Sequence, residues 1–268
     1  MNKNNSNDIN NLNADAFDDL HCHSTLSYCA NDEMRLKNIT KQLEDSKNCN
    51  KLAITDHGFA VYFPLEIVLT WKFMIDNGYL FELYREQGNK KLAKHLKKIT
   101  KLKNPNLLTG IEVELMNNNQ LTIDDQFLEE LDIIIGSVHW LPVLQETNNK
   151  NILFDAWWDN TQQLLEHNIT ILGHPLRFLF NRKIDPTEKQ IDEMVKLAKE
   201  KNVALELNST GKHYQQDLPL LKSILKHEAT LSLANDSHRL NTIGLFDYHA
   251  NCAYMLGVKL SDFNILKF

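Results

Sequence analysis

The chain has neither a CxxC pair nor the cysteine spacing of a secreted disulfide framework: its four cysteines, Cys22, Cys29, Cys49 and Cys252, are scattered, as suits a reducing compartment. No apolar run approaches the roughly 18 residues a membrane helix needs, so no membrane association is expected. The first sixteen residues are rich in Asn and Asp and lack the basic start and apolar stretch of a signal peptide. They are expected to form a floppy, disordered cytoplasmic leader over residues 1–16. Five or six like charges never run together, and Lys+Arg 29 against Asp+Glu 35 gives a formal charge of −6. A nucleic-acid backbone or an anionic membrane is therefore not the expected main partner. No composition break or linker divides residues 17–268, which are expected to form a single domain.

What is present fits a globular chain with a real core, since 268 residues carry 43% hydrophobic and 24% charged side chains. Seven short apolar runs read as strands: Phe17–Leu20, Leu52–Thr55, Leu107–Leu115, Ile133–Val138, Ile169–Leu172, Val203–Leu207 and Thr230–Leu233. Amphipathic segments between them predict helices over Glu33–Leu43, Leu92–Leu102, Phe154–Glu166, Glu188–Lys199 and Leu218–Lys226, the last with Pro219 near its first turn. Alternation of this kind implies an α/β fold with a mostly parallel sheet, closed as a barrel. The stretch 58–106 is too long for a simple crossover and holds apolar positions for two or three helices. Its place after a strand's C-terminal end suggests a substrate-facing lid; a helical hairpin packed on the surface is the alternative.

The chemistry gathers at the strand ends. DLHCH puts His21 and His23 on one face of a strand and turns Cys22 away. TDHG adds Asp56 and His57, GIEVE adds Glu112 and Glu114, SVH ends at His139, GHP at His174, ELN carries Glu206 and Asn208, and NDSH closes with Asp236 and His238. Six of the eleven histidines thus converge on one rim, the face where barrel enzymes work. Imidazoles and carboxylates in such number exceed what one tetrahedral ion needs, so a site for more than one divalent ion is expected. Close cations can bind the attacking and leaving oxygens of a phosphoryl displacement and lower the pKa of a bound water, which removes the need for a side-chain nucleophile.

The ordered set DLHCH, TDHG, GIE, SVH, GHP and NDSH resembles the PHP family, the polymerase and histidinol phosphatase domains, from Asp19 to His238. The resemblance implies a distorted (β/α)7 barrel with a trinuclear metal site that hydrolyses phosphate esters through metal-bound hydroxide, so two or three divalent ions, Zn, Mn or Fe, are expected. Carried over by motif, His21, His23, Glu112 and Asp236 would hold one metal, with Glu112 bridging to a second on His139 and His174. His57 and His238 would hold the third, where the family has a further histidine and this chain has Cys29. A thiolate binds zinc or iron well, so Cys29 is expected as a ligand; a displaced loop would make it a bystander. Glu112, His139 and Asp236 are the candidate catalytic core.

Phosphate oxygens need cationic partners, and Arg177, Lys212 and Arg239 follow the motifs on the same rim as candidate substrate-binding residues. Glu114 and Glu206 are expected to orient ligand histidines, and Asp56 its neighbourhood, without binding metal. His95, His167, His227 and His249 are expected at the surface, as is His213 except that it sits beside the ELNSTGK turn, and Trp140, Trp157, Trp158 and Phe178 in ordinary packing. The Cys29 to Arg35 spacing imitates a cysteine-phosphatase loop, but it has no glycine and carries Asp32 and Glu33, which would repel phosphate. The expected substrate is a small phosphate monoester, with histidinol phosphate as the leading guess by resemblance. The rivals are an amidohydrolase-type C–N hydrolase, a PHP nuclease acting on nucleotides, and a degenerate module that binds without catalysis.

Overall fold

The structure is a computed structural model that describes residues 16–268; the leader expected over 1–16 lies outside these residues except for Ala16. Eight strands form one all-parallel sheet in chain order: β1 Phe17–Cys22, β2 Cys49–Ile54, β3 Leu107–Val113, β4 Ile133–Gly136, β5 Ile171–Leu172, β6 Ala204–Asn208, β7 Thr230–Ala234 and β8 Asn264–Ile265. Seven fall on the apolar runs expected as strands. The eighth, two residues long, has no apolar run to announce it and pairs Thr230 and Leu231 at the start of β7.

The sheet curls back on itself. At the C-terminal end β7 returns to β1, where His23 N donates to Ser237 O at 3.0 Å and Ser237 N to His21 O at 3.1 Å. Leu20, Ala53, Leu108, Ile133, Ile135, Ile171 and Ala204 come from six different strands and form one buried cluster without any helix residue. Only the inside of a closed sheet can bring them together, so they make the packed floor beneath the rim. Strands buried on both faces also explain why β1 shows no exposed position.

Helices cover the outside: α1 Leu36–Asp45, α2 Gly58–Tyr62, α3 Leu65–Val68, α4 Tyr79–Lys101, α5 Lys150–Glu166, α6 Arg177–Asn181, α7 Glu188–Glu200, α8 Tyr214–His227 and α9 Asp247–Met255. The start of α7 is set by a capping box between Thr187 and Gln190, in which each side chain serves the other's backbone N–H. Helix α8 begins a turn earlier than its sequence predicts, which leaves Pro219 inside it. The apolar period starts only at Leu218, so the polar first turn has no signal of its own.

The long connection after β2 contains α2, α3, a 3-10 turn at Lys72–Met74 and the 23-residue α4. Tyr62, Phe63, Phe73 and Phe81 pack ring on ring and join these pieces. Gly88 of α4 lies so close to Tyr62 that a Cβ there would collide with the ring. Tyr62 is held in place, donating to Asn89 Oδ1 at 2.8 Å and accepting from Asp124 N at 3.1 Å. Gly88→Ala is therefore expected to destabilise the protein by about 1–3 kcal/mol through overpacking, outweighing the roughly 1 kcal/mol that alanine gains over glycine in a free helix. Urea unfolding of the two proteins measures it; an alanine variant more stable than the parent would contradict this packing.

Candidate metal centre

Every strand from β1 to β7 except β6 delivers a nitrogen or oxygen donor to the mouth, and β6 delivers the carboxylate that holds two of them. His21 Nδ1 donates to Glu206 Oε1 at 2.7 Å, which leaves Nε2 as the inward-facing atom. It lies 3.1 Å from His23 Nε2, 3.3 Å from Glu112 Oε2 and 3.7 Å from Asp236 Oδ1. Ser27 determines the state of His23. Its hydroxyl donates to Asp56 Oδ1 at 2.7 Å and accepts from His57 N–H at 3.0 Å, so its remaining lone pair accepts the His23 Nδ1 proton at 3.2 Å. His23 Nε2 is then a bare lone pair 3.0 Å from Asp236 Oδ1, itself only an acceptor.

Glu112 is completely buried at the centre. Its Oε1 lies 3.0 Å from His174 Nε2 and 3.4 Å from His139 Nε2, and its Oε2 lies 2.8 Å from His57 Nδ1. The last pair lacks hydrogen-bond alignment, and both atoms are buried without a partner. Lone pairs facing lone pairs, and orphaned acceptors at the focus of five imidazoles, are what cations would satisfy. The donors fall into sets of cation-binding size: His21, His23 and Asp236; Glu112, His139 and His174; His23, Cys29, His57 and His238; and His57, Glu114 and His139. In each set the donor atoms lie within 4.8 Å of one another.

Electrostatics follows the same geometry. Burial alone would push the Glu112 carboxyl up, but His57, His21 and His139 hold it well below the usual carboxylate range. Asp236 is likewise held low against its burial, by His21, His23 and Arg177. The His21 imidazole would be pushed down by burial, yet Glu112, Glu206 and Asp236 raise it well above its ordinary value. Glu114 differs: burial, reinforced by the charge of Glu112, raises it to about 8. It accepts from His139 Nδ1 at 2.9 Å and from Thr122 Oγ1 at 3.0 Å, so it orients His139 from behind. Glu206 does this twice, for the His21 ring and for the His174 backbone N–H at 2.6 Å. Two of the donors sit on left-handed backbone, with φ 27° at His174 and 50° at Asp236.

Among the expected phosphate-binding cations, Arg177 reaches the cluster and donates from Nη1 to Asp236 Oδ2 at 2.7 Å. Lys212 and Arg239 stay exposed, with no side-chain hydrogen bond or ion pair to the cluster. Cys29 is exposed at the rim, where its Sγ meets His238 Nε2 at 3.0 Å, and partial desolvation, with Glu112 and Asp236 nearby, raises its thiol to about 12. Cys22 packs away from the centre against Met34, Ile39 and Leu43. Two histidines expected at the surface are buried instead. His95 Nε2 lies 3.1 Å from Asp56 Oδ2, and His249 Nε2 donates between the carbonyls of Leu207 and Ala234. The helical period would have exposed the first error, since Leu92, His95, Leu96 and Ile99 share the buried face of α4.

Sequence reasoning also missed Ser24, Ser27 and Asp19. Asp56 accepts from the backbone N–H and the hydroxyl of both serines, binding the loop after β1 to the end of β2. Asp19 accepts from Asn235 N at 3.0 Å, Asn235 Nδ2 at 2.8 Å and Gly244 N at 2.9 Å, which sets the turn bearing Asp236. No local pattern marks either serine, and Asp19, although it opens the DLHCH motif, takes its role from Asn235, 216 positions away.

Known proteins share sequence or fold with this chain. The DNA polymerase/3'-5' exonuclease PolX of Bacillus subtilis is 26% identical over 226 residues, 84% of this chain and 35% of PolX. A probable phosphatase of Clostridium acetobutylicum is 34% identical over 152 residues, 53% of this chain and 56% of that protein. The chain thus matches about a third and about half of the length of these relatives. Among solved structures, the histidinol phosphate phosphatase of Lactococcus lactis, complexed with zinc, L-histidinol and phosphate, shares the fold with a TM-score of 0.53 at 21% identity, over 92% of this chain and 94% of the other. The PHP domain itself is matched from Asp19, whose carboxylate sets the closing turn, through Thr210 beyond β6, and on this evidence the chain belongs to the PHP family.

Proposed function

We propose that this chain is a metal-dependent phosphoesterase acting on a small phosphate monoester. The observation that carries the reading is the convergence of imidazole nitrogens and buried carboxylate oxygens on Glu112, whose own Oε2 and the facing His57 Nδ1 have no hydrogen-bond partner. His21, His23, Glu112 and Asp236 would hold one ion, and Glu112, His139 and His174 a second. Bound there, divalent ions would supply Lewis acidity to phosphoryl oxygens and acidify a water.

The remaining groups orient and enclose. Glu206 and Glu114 keep the Nδ1 protons of His21 and His139 and so direct each Nε2 inward. Arg177 offers Asp236 one guanidinium N–H and keeps others for a phosphate oxygen, in a cleft lined by Phe180, Asn208, His213 and Asp217 next to His174. Residues 58–106 bring aromatic rings beside the mouth: Phe59 stacks on His57 at 4.3 Å, and Trp71 stacks on Trp140 at 6.0 Å. A small ester needs no basic stripe, in keeping with the net charge of −6. Among the described residues no helix is long and apolar enough to cross a membrane. The scattered free cysteines fit action in the cytoplasm.

The matched part of PolX favours one second reading, a nuclease acting on nucleotides. Turnover of metal-replete protein on histidinol phosphate, nucleoside monophosphates, an N-acyl substrate and single-stranded DNA separates them. Monoesterase activity well above the others is expected; efficient exonuclease or amide cleavage with negligible monoesterase activity would reverse the assignment.

A further inference from the structure

We infer that Cys29 supplies a thiolate ligand to the outer end of the cluster, so that this position prefers a thiophilic divalent ion of the zinc and cobalt type over manganese. The inference rests on the metal-dependent reading above and adds a division of labour within it. Cys29, His57 and His238 present one sulfur and two ring nitrogens within 4.8 Å of one another, with no carboxylate in the set; His23 borders them, but its one lone pair, on Nε2, belongs to the ion on the Asp236 side. The set centred on Asp236 and that centred on Glu112 each include an anionic oxygen. Soft sulfur with imidazole selects zinc, cobalt or iron, whereas hard oxygen donors suit manganese or magnesium.

The approach of sulfur to nitrogen is built into the backbone. Asn31 N donates to the carbonyl of His238 at 3.1 Å, so the loops bearing the two donors are themselves hydrogen-bonded. The Cys29 loop is secured on its other sides by Thr25 N to Met34 O at 2.8 Å and by the Tyr28 hydroxyl to Phe63 O at 2.7 Å. His238 Nδ1 faces Asp236 O at 2.7 Å, and since a carbonyl only accepts, the proton is on Nδ1 and the Nε2 lone pair points at Sγ. An independent observation points to a cation at the inner edge of this set: on the His57 ring, nine-tenths buried, Nδ1 lies 2.8 Å from Glu112 Oε2 and neither atom has a hydrogen-bond partner. The competing account is a neutral thiol that merely donates a weak hydrogen bond to His238.

Cobalt separates the two. Metal-stripped, reduced protein is titrated with cobalt(II) and followed by bound ion per chain and by near-ultraviolet absorption. A thiolate-to-cobalt charge-transfer band is expected in the parent, displaced by equimolar zinc and unaffected by equimolar manganese. Cys29→Ser should lack the band and hold the outer ion at least about tenfold more weakly, while Cys29→His should bind the full complement of ions without the band. Cobalt bound at the other positions with no charge-transfer band in the parent, or a band that persists in Cys29→Ser, would overturn the inference and leave the metal-dependent reading intact. Failure of any cobalt to bind would overturn both.

Discussion

Glu112→Gln is expected to lower monoesterase turnover by roughly a thousandfold, at the upper end of what the loss of one preorganised electrostatic group costs, and to leave the barrel folded. Glu112 touches four ligand candidates with two oxygens: His174 and His139 through Oε1, His21 and His57 through Oε2. Glutamine has the same shape but only one oxygen, and its NH2 would turn an N–H toward ring nitrogens that here face an anion. It cannot bridge two cations with two negative oxygens. Metal analysis should therefore show at least one ion fewer per chain, and circular dichroism an unchanged fold. Cys22→Ala is the control, because Cys22 shares the strand but packs against Met34 and Ile39 on its far side. A glutamine variant with parental turnover and metal content would remove Glu112 from the centre.

Removing the metals should abolish activity and also soften the fold. Without cations the mouth buries Glu112, Asp236 and Glu206 among imidazoles whose lone pairs face acceptors, as at His23 Nε2 and Asp236 Oδ1, 3.0 Å apart. An ion present at a hundred times its dissociation constant adds about 2.7 kcal/mol of stability. For a chain of this size that corresponds to a melting temperature lower by about 5–10 °C after chelation. Scanning calorimetry with and without chelator measures the shift, and added zinc or manganese should restore both melting temperature and turnover. Activity and melting temperature that are both indifferent to exhaustive chelation would exclude a metal centre.

The strands and the roster of donors were legible because both are local signals. An apolar run such as Ile133–Ile135 or Leu231–Leu233 announces a buried parallel strand by itself, and a polar residue just beyond it must stand at the rim of a closed parallel sheet. Period two alone turned His21 and His23 together and Cys22 away, and the structure keeps that arrangement. Strand β8 was missed for the converse reason: two residues, Asn264 and Ile265, are too few to show a period.

By itself, then, the sequence determined the parallel α/β architecture, the rim and its store of imidazole and carboxylate. Short-range patterns decide which residues stand at a strand's end. Tertiary structure decided which of these groups meet and in what protonation state. Arg177 reaches Asp236 across 59 positions of chain while Lys212 and Arg239 stay in solvent, because α6 starts at Arg177 immediately after β5 and presents it to the mouth. His95 sits beneath Asp56 because α4 lays its apolar face on the barrel, and Ser27 determines the tautomer of His23 only because Asp56 fixes the Ser27 hydroxyl. Cys29 and His238, 209 positions apart, meet through the hydrogen bond between their loops. Hydrogen-bond direction and contact across such separations depend on how loops are anchored after the sheet closes, and no period of two or 3.6 residues encodes that.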